Sequence, residues 1–265
     1  MNIVGISAYH HDSAVAWLSA GFIKGAAHEE FFDHHECHAM SSICTTTWDS
    51  CAVMVVDSMG GKYSTSLGIF ENNKITWLKR FEYPNSLGLF YSTVTRFLGF
   101  TPMMDEEKVM SAAAFGEPKW ADYLKEKVIK TEFGNYNIVR DLRRGAGTAV
   151  LDWDIAKSAQ DILQECLINL AAWLHKETGQ FKLAYAGGVA LNCVANTELM
   201  RYTNFNDIAI QPAAGDAGCA LGAAALVQRP LWEGPFLGYE DSLQQNPEEI
   251  AYKILQGEVV CVLNG

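Results

Sequence analysis

His34 and His38 stand four residues apart in the run His34-His35-Glu36-Cys37-His38. A helix there carries both imidazoles on one face, one turn apart, at the spacing a single cation bridges. Two carboxylates can close the site. Asp57 follows the apolar run Cys51-Ala52-Val53-Met54-Val55-Val56, and Asp216 lies in Gly215-Asp216-Ala217-Gly218. A lone H-x-x-x-H is more often part of an ordinary helix. Here Asp57 falls at the exit of a buried strand, where α/β folds place their ligands, and that reverses the odds. The pattern is not H-E-x-x-H, since only Cys37 separates Glu36 from His38, so a zinc-protease reading loses its support. Two imidazoles and two carboxylates with open positions suit a borderline divalent cation such as iron(II), manganese or zinc, and the absence of thiolates argues against a purely structural site.

A second set of segments suits a nucleotide. Gly187-Gly188, between a strand pattern and a helix pattern, lets backbone amides approach an anion at a helix N-terminus. Asn192 and Asn196 follow one turn apart on that helix. Gly215-Asp216 repeats the device, with N-capping as the plain alternative for Asp216. His11-Asp12-Ser13 forms a polar turn between two strand patterns, where His11 can serve as a general base near neutral pH. The plain alternative there is a turn that bonds its own backbone.

The elements that must hold these residues are legible in outline. Residues 3–7, 13–18 and 22–28 read as a β-meander, 34–44 as a short helix, and 51–56 as a fully buried strand. Residues 63–71 and 74–81 flank Asn72-Asn73 as a hairpin. Helical patterns follow at 88–98, 106–114 and 119–129. The longest covers 153–176, with Asp152 as N-cap and Gly179 as stop. Residues 182–186 and 207–210 read as strands, and 189–200 and 216–227 as helices. This is an α/β chain with a first half at residues 1–147, carrying the histidine motif, and a second at 148–265, carrying the Gly-Gly motif. The ends look cut, and Glu29-Glu30 meets Phe31-Phe32 without turn chemistry, as if residues were missing at that join.

Composition narrows the partners. The 265 residues are 49% hydrophobic, enough to fill a core, and carry 20 Lys+Arg against 31 Asp+Glu for a net charge of −11. No basic stripe is present, so a nucleic-acid-binding face is not expected. The seven cysteines lack any C-x-x-C pair, which indicates neither a disulfide framework nor a zinc knuckle. With no signal-peptide pattern and no long apolar run, the expected setting is the cytoplasm, away from the membrane.

Taken together, the segments resemble the O-carbamoyltransferases of antibiotic and nodulation-factor biosynthesis. The resemblance runs through Gly5-Ile6-Ser7, His11-Asp12-Ser13-Ala14, His34-His35-Glu36-Cys37-His38-Ala39, Ser86-Leu87-Gly88-Leu89-Phe90-Tyr91, Glu106-Glu107-Lys108-Val109-Met110, Ala186-Gly187-Gly188-Val189-Ala190-Leu191-Asn192 and Gln211-Pro212-Ala213-Ala214-Gly215-Asp216-Ala217-Gly218. It implies the actin/sugar-kinase/Hsp70-like ATPase fold, two related α/β halves with nucleotide between them. It implies that a separate carboxy-terminal domain, absent from this chain, makes carbamoyl-adenylate from carbamoyl phosphate and ATP. The part present here would pass the carbamoyl group to a hydroxyl of a small molecule and release AMP. It further implies a metal, Fe(II), on His34, His38, Asp57 and Asp216, and a nucleotide at Gly60, Lys108, Gly187, Gly188, Asn192 and Gly215. His11 is the implied base and Asp12 its support. A homodimer is the expected assembly.

Departures from the family pattern are specific. A basic segment that relatives carry after Glu29-Glu30 is missing, Glu107 stands where glycine is common, and Ser111-Ala112 replaces Gly-Leu. The rival enzyme reading is a tRNA threonylcarbamoyladenosine transferase-like protein, opposed by the net charge of −11. The rival from another class is a non-catalytic ATP-binding regulatory module, which needs neither metal nor AMP release.

Overall fold

The computed structural model describes strands 2–7, 14–19 and 22–28 by their backbone, together with residues 32–139, 152–230, 232, 234 and 247–257. The chain divides into two compact units, Met1–Leu231 and Trp232–Gly265. In the second, one helix (Pro247–Leu255) carries an exposed Lys253–Glu249 ion pair at 3.0 Å.

The first unit is built on β4 (Ser50–Gly60), whose near-continuous apolar run is the signature of a strand covered on both faces. Its side chains alternate between two cores. Ala52, Met54 and Val56 pack with Leu87 and Phe90 of α2 (Leu87–Phe97) and with Ile162, Leu163 and Leu167 of α5 (Trp153–Thr178). Cys51, Val53 and Val55 pack with Ala39, Met40 and Ile43 of α1 (His34–Ile43) and Ala225 of α7 (Cys219–Val227). The two-residue repeat of strand geometry thus sends alternate side chains to α2 and α5 on one face of the sheet and to α1 and α7 on the other.

β4 pairs antiparallel with β5 (Tyr63–Glu71), and β5 antiparallel with β6 (Lys74–Glu82). The turn between β5 and β6 is Asn72-Asn73, both at positive φ (52° and 56°), as a two-residue hairpin turn requires. On its other edge β4 pairs parallel with β9 (Lys182–Ala186), which pairs parallel with β10 (Asp207–Ile210). The order β6-β5-β4-β9-β10, three antiparallel strands continued by two parallel ones under helices on both faces, is that of one half of the actin/sugar-kinase/Hsp70-like ATPase fold. A separate meander of β1 (Asn2–Ser7), β2 (Ala14–Ser19) and β3 (Phe22–His28) repeats the antiparallel opening of that order. The five-stranded sheet takes strands from both sides of residues 147 and 148. Residues 140–151 lie outside the described residues.

Several local expectations hold. Asp152 caps α5 by accepting from the Asp154 and Ile155 amides, and Gly179 ends it in the left-handed conformation at φ 66°. Others change for identifiable reasons. Residues 119–129 make only α4 (Ala121–Lys127), because Ile129 turns into a small hairpin of β7 (Ile129–Glu132) and β8 (Asn135–Ile138). That hairpin turns at Gly134 (φ 68°) over the Trp173 ring. The helix expected over 189–200 splits into a 3₁₀ turn (Gly188–Leu191) and α6 (Cys193–Tyr202), because the Asn192 side chain accepts from the Ala195 amide and starts the helix there. α3 (Glu106–Ala112) likewise finishes in a 3₁₀ turn at Ala113–Phe115. Among the described residues no helix is long and apolar enough to cross a membrane.

Candidate metal and nucleotide site

α1 begins where Asp33 caps it, its carboxylate accepting from the His35 and Glu36 amides. The same carboxylate is held by Arg80 of β6 at 2.8 Å. Arg80 Nε donates to Ser66 Oγ at 2.9 Å, and Ser66 Oγ bonds His35 Nδ1 at 2.7 Å. The first turn of α1 is therefore tied to two strands. The side chain that shares this brace, His35, is fully buried, and burial pushes its pKa down to about 3. It stays neutral and serves the frame.

One turn along, the helical repeat brings His34 Nε2 and His38 Nε2 to 3.0 Å from each other. His38 Nδ1–H donates to the Ala214 carbonyl at 3.2 Å, which leaves Nε2 as the lone-pair nitrogen facing the cluster. Asp57 arrives at the end of the apolar run of β4. Its Oδ1 accepts from the Gly188 amide at 3.2 Å, and its Oδ2 lies 3.5 Å from His34 Nε2 and 3.7 Å from His38 Nε2. Asp216 Oδ1 lies 3.5 and 3.3 Å from the same nitrogens. With bonds of about 2.1 Å, neighbouring ligands sit about 3.0 Å apart in an octahedron and about 3.4 Å in a tetrahedron. The separations from 3.0 to 3.7 Å therefore fit donors around one cation. A second set, His34, His38, Asp216 and Cys219 without Asp57, keeps its donor atoms within 4.8 Å of one another.

The capping alternative for Asp216 fails. Neither the 3₁₀ turn Asp216–Gly218 nor the start of α7 carries a side-chain cap, and the carboxylate turns to the histidines instead.

Electrostatics agree with a cation site. Burial works against ionisation of Asp57, yet hydrogen bonds from His34 and His38 hold its carboxyl well below the usual range. Hydrogen bonds from the same two residues lower Asp216. Burial also opposes charge on His38, but hydrogen bonds to Asp216 and Asp57 raise its pKa above the ordinary histidine value. In the metal-free chain, the stabilisation from protonated His38 is fully present below the ordinary histidine pKa and is lost as pH rises through the raised value. A divalent ion must displace that proton. Metal Kd is therefore expected to weaken about tenfold for each pH unit below the raised value, one proton per ion, in isothermal titrations across the neutral range.

The glycines shape the site by close approach. Gly187 has φ 98°, and a Cβ there would lie 2.3 Å from the Val56 carbonyl. At Gly188 a Cβ would stand 2.9 Å from Asp57 Oδ1, the oxygen its own amide holds. Gly188→Val should therefore dislodge Asp57, lowering metal affinity together with nucleotide affinity; loss of nucleotide binding alone would mark the turn as an anion cradle only. Gly60 lies against the rings of His34 and His35, where a Cβ would fall 2.5 Å from His34 Cδ2. Gly215 has open space, with only Leu191 Cδ1 at 3.6 Å and Gly188 Cα at 4.0 Å from a Cβ.

A cavity of about 310 Å³ opens beside Asp57 and Gly188, lined also by Asn192, Tyr91, Ser92, Glu106, Glu107, Leu163 and Met110. Asn192 exchanges two hydrogen bonds with Gln160, which in turn accepts from Tyr91 OH at 2.7 Å, so the cavity wall is a fixed network. Lys108 is not part of this lining: it is half-exposed and donates to Asp105 at 2.7 Å. His11 and Asp12 lie outside the described residues. The sequence reading missed Cys219, which carries no motif beyond standing three residues after Asp216. It also missed the Asp33–Arg80–Ser66–His35 brace, which joins residues too distant for any local pattern.

The model of the carbamoyltransferase N-terminus matches residues 24–225. The chain is 35% identical over 221 residues to an uncharacterised protein of Synechocystis sp., covering 74% of this chain and 36% of that protein. It is 32% identical over 237 residues to the nodulation protein NolO of Bradyrhizobium diazoefficiens, covering 80% and 43%. The chain thus spans less than half the length of these relatives. Among solved structures, (R)-2-hydroxyglutaryl-CoA dehydratase component A of Acidaminococcus fermentans superposes with a TM-score of 0.46 at 14% identity, covering 86% of this chain and 97% of that one. HypF of T. kodakarensis gives a TM-score of 0.46 at 15% identity, covering 71% and 35%. With about three quarters of its length inside the matched model, the chain belongs to the carbamoyltransferase N-terminal family.

Proposed function

We propose that this chain transfers a carbamoyl group from carbamoyl-adenylate to a hydroxyl of a small-molecule acceptor, at a divalent metal held by His34, His38, Asp57 and Asp216. The observation that carries the reading is the cluster of four donor atoms from three separate parts of the chain, set against a cavity beside it. Among the described residues its wall carries no lysine, arginine or histidine, and Met103, Met110, Leu163, Val189 and Tyr91 give it an apolar body. Such a wall suits a nucleobase and ribose better than a phosphate. The nucleotide's negative charge then belongs at the metal end.

The donor chemistry fits Fe(II), which when bound would neutralise phosphate charge and polarise the carbonyl of the acyl adenylate. The chain's own residues do the rest. Gly188 fixes which oxygen of Asp57 faces the cluster, Ala214 fixes the tautomer of His38, and the Asn192–Gln160–Tyr91 network keeps the cavity in shape. The acceptor oxygen attacks the carbamoyl carbon, the bond to the phosphate oxygen breaks, AMP leaves, and the hydroxyl proton passes to a base, for which His11 is the candidate.

The test supplies synthetic carbamoyl-adenylate to Fe(II)-loaded chain under anaerobic conditions, with sugars or polyketide alcohols as acceptors. Acceptor-dependent AMP release with a carbamoylated product is expected. Tight binding of the adenylate without any AMP release, across acceptors, would mean a non-catalytic nucleotide-binding module.

A further inference from the structure

Cys219 is the first residue of α7, 1% exposed, and three positions beyond Asp216. Residues i and i+3 of a helical turn share a face, just as His34 and His38 do at i and i+4. The two turns face each other, for α1 and α7 pack closely enough that a Cβ on Gly222 would lie 1.7 Å from the Cys37 carbonyl. The result is one set of donor atoms, His34, His38, Asp216 and Cys219, all within 4.8 Å of one another. A cation with bonds of about 2.1 Å to nitrogen and about 2.3 Å to sulfur spans about 4.4 Å between opposite ligands. The thiol sulfur is at that reach or a small side-chain rotation from it.

We propose that Cys219 binds the metal of this site as a thiolate, beside the two imidazoles and the Asp216 carboxylate. The inference rests on the metal reading given above and adds a ligand to it. On binding, the Cys219 S–H proton leaves to solvent as the sulfur–metal bond forms, with no change of oxidation state. A buried sulfur donor biases the site toward Fe(II), Zn(II) and Co(II) and away from Mg(II), which prefers oxygen.

The experiment uses Co(II) alone, added to the metal-free full chain under anaerobic conditions and read by absorption. Visible d–d bands report cobalt in the cluster, and a near-ultraviolet sulfur-to-cobalt charge-transfer band reports the thiolate. Wild-type chain is expected to show both. Cys219→Ser, checked for an unchanged far-ultraviolet circular dichroism spectrum, should keep the d–d bands and lose the charge-transfer band. Cys37→Ser should keep both, since Cys37 packs in the same apolar cluster as Cys219 but is not in the donor set. Wild-type d–d bands without charge transfer would remove Cys219 as a ligand and leave the metal site standing. A charge-transfer band that persists in Cys219→Ser would assign the sulfur elsewhere and overturn the proposal. Absence of d–d bands from wild-type chain would sink the metal reading itself, and this inference with it.

Discussion

His38→Ala chain, purified under anaerobic and iron-replete conditions, should contain almost no metal where wild-type chain contains about one ion. The substitution removes a fully buried imidazole whose Nε2 lies within 3.7 Å of three other donors. Loss of a mere hydrogen-bonding partner of a ligand costs roughly 10- to 100-fold in metal affinity, and loss of the ligand itself should cost at least the upper figure. The fold should survive. The Ala214 carbonyl loses one donor, worth about 1–3 kcal/mol if nothing replaces it, and the small cavity left behind lies among polar groups that water can satisfy. Circular dichroism should therefore be unchanged, with a modest fall in Tm. Acceptor-dependent AMP release should fall with the metal. One ion per chain retained in His38→Ala, measured by elemental analysis, would refute the ligand assignment and with it the site.

Much of this arrangement was legible in the residues because it is local. The i, i+4 spacing of His34 and His38, the continuous apolar run at residues 51–56, the cap at Asp152 and the stop at Gly179 are each written within a few positions, and each is present. What the sequence did not disclose is non-local. No pattern links Arg80 to Asp33 across 47 positions, or sets Gly222 against Cys37, because those relations exist only after the sheet has ordered its strands. The same limit explains the glycines. The place of Gly187 and Gly188 before a helix predicts amides that approach an anion. The structure adds a non-local role, one glycine passing the Val56 carbonyl and the other holding Asp57 by its amide. Lys108 is a local case: a cation in a motif that resembles a nucleotide segment, paired with Asp105 three residues away. The seven cysteines were set aside for want of a C-x-x-C pair, a rule that concerns pairs of cysteines and is silent on one cysteine joining histidines and an aspartate.

Gly222→Ala should destabilise the chain by about 3 kcal/mol or more and weaken metal binding beyond what the lost stability explains. Helix propensity argues the opposite sign, since alanine in the interior of a helix is favoured over glycine by about 1 kcal/mol. Packing decides. A Cβ at position 222 would lie 1.7 Å from the Cys37 carbonyl oxygen and 3.0 Å from its Cα, where ordinary contact begins at 3.4 Å, and the obstacle is backbone that cannot rotate away. Overpacking a tight core costs roughly 1–3 kcal/mol when side chains can shift, so a clash against backbone should reach or exceed that range. The helices relieve it by separating, and α1 and α7 hold opposite sides of the donor cluster: Cys37 lies between His34 and His38, while Gly222 lies in the second turn after Asp216. Separation on the order of an ångström would open the histidine-to-Asp216 distances beyond what one cation spans. Denaturant unfolding of metal-free chain measures the first effect, and Co(II) titration of the folded variant the second. A gain in stability would show that propensity outweighs this contact, and loss of stability with unchanged Co(II) affinity would show that the α1–α7 spacing does not set the metal geometry.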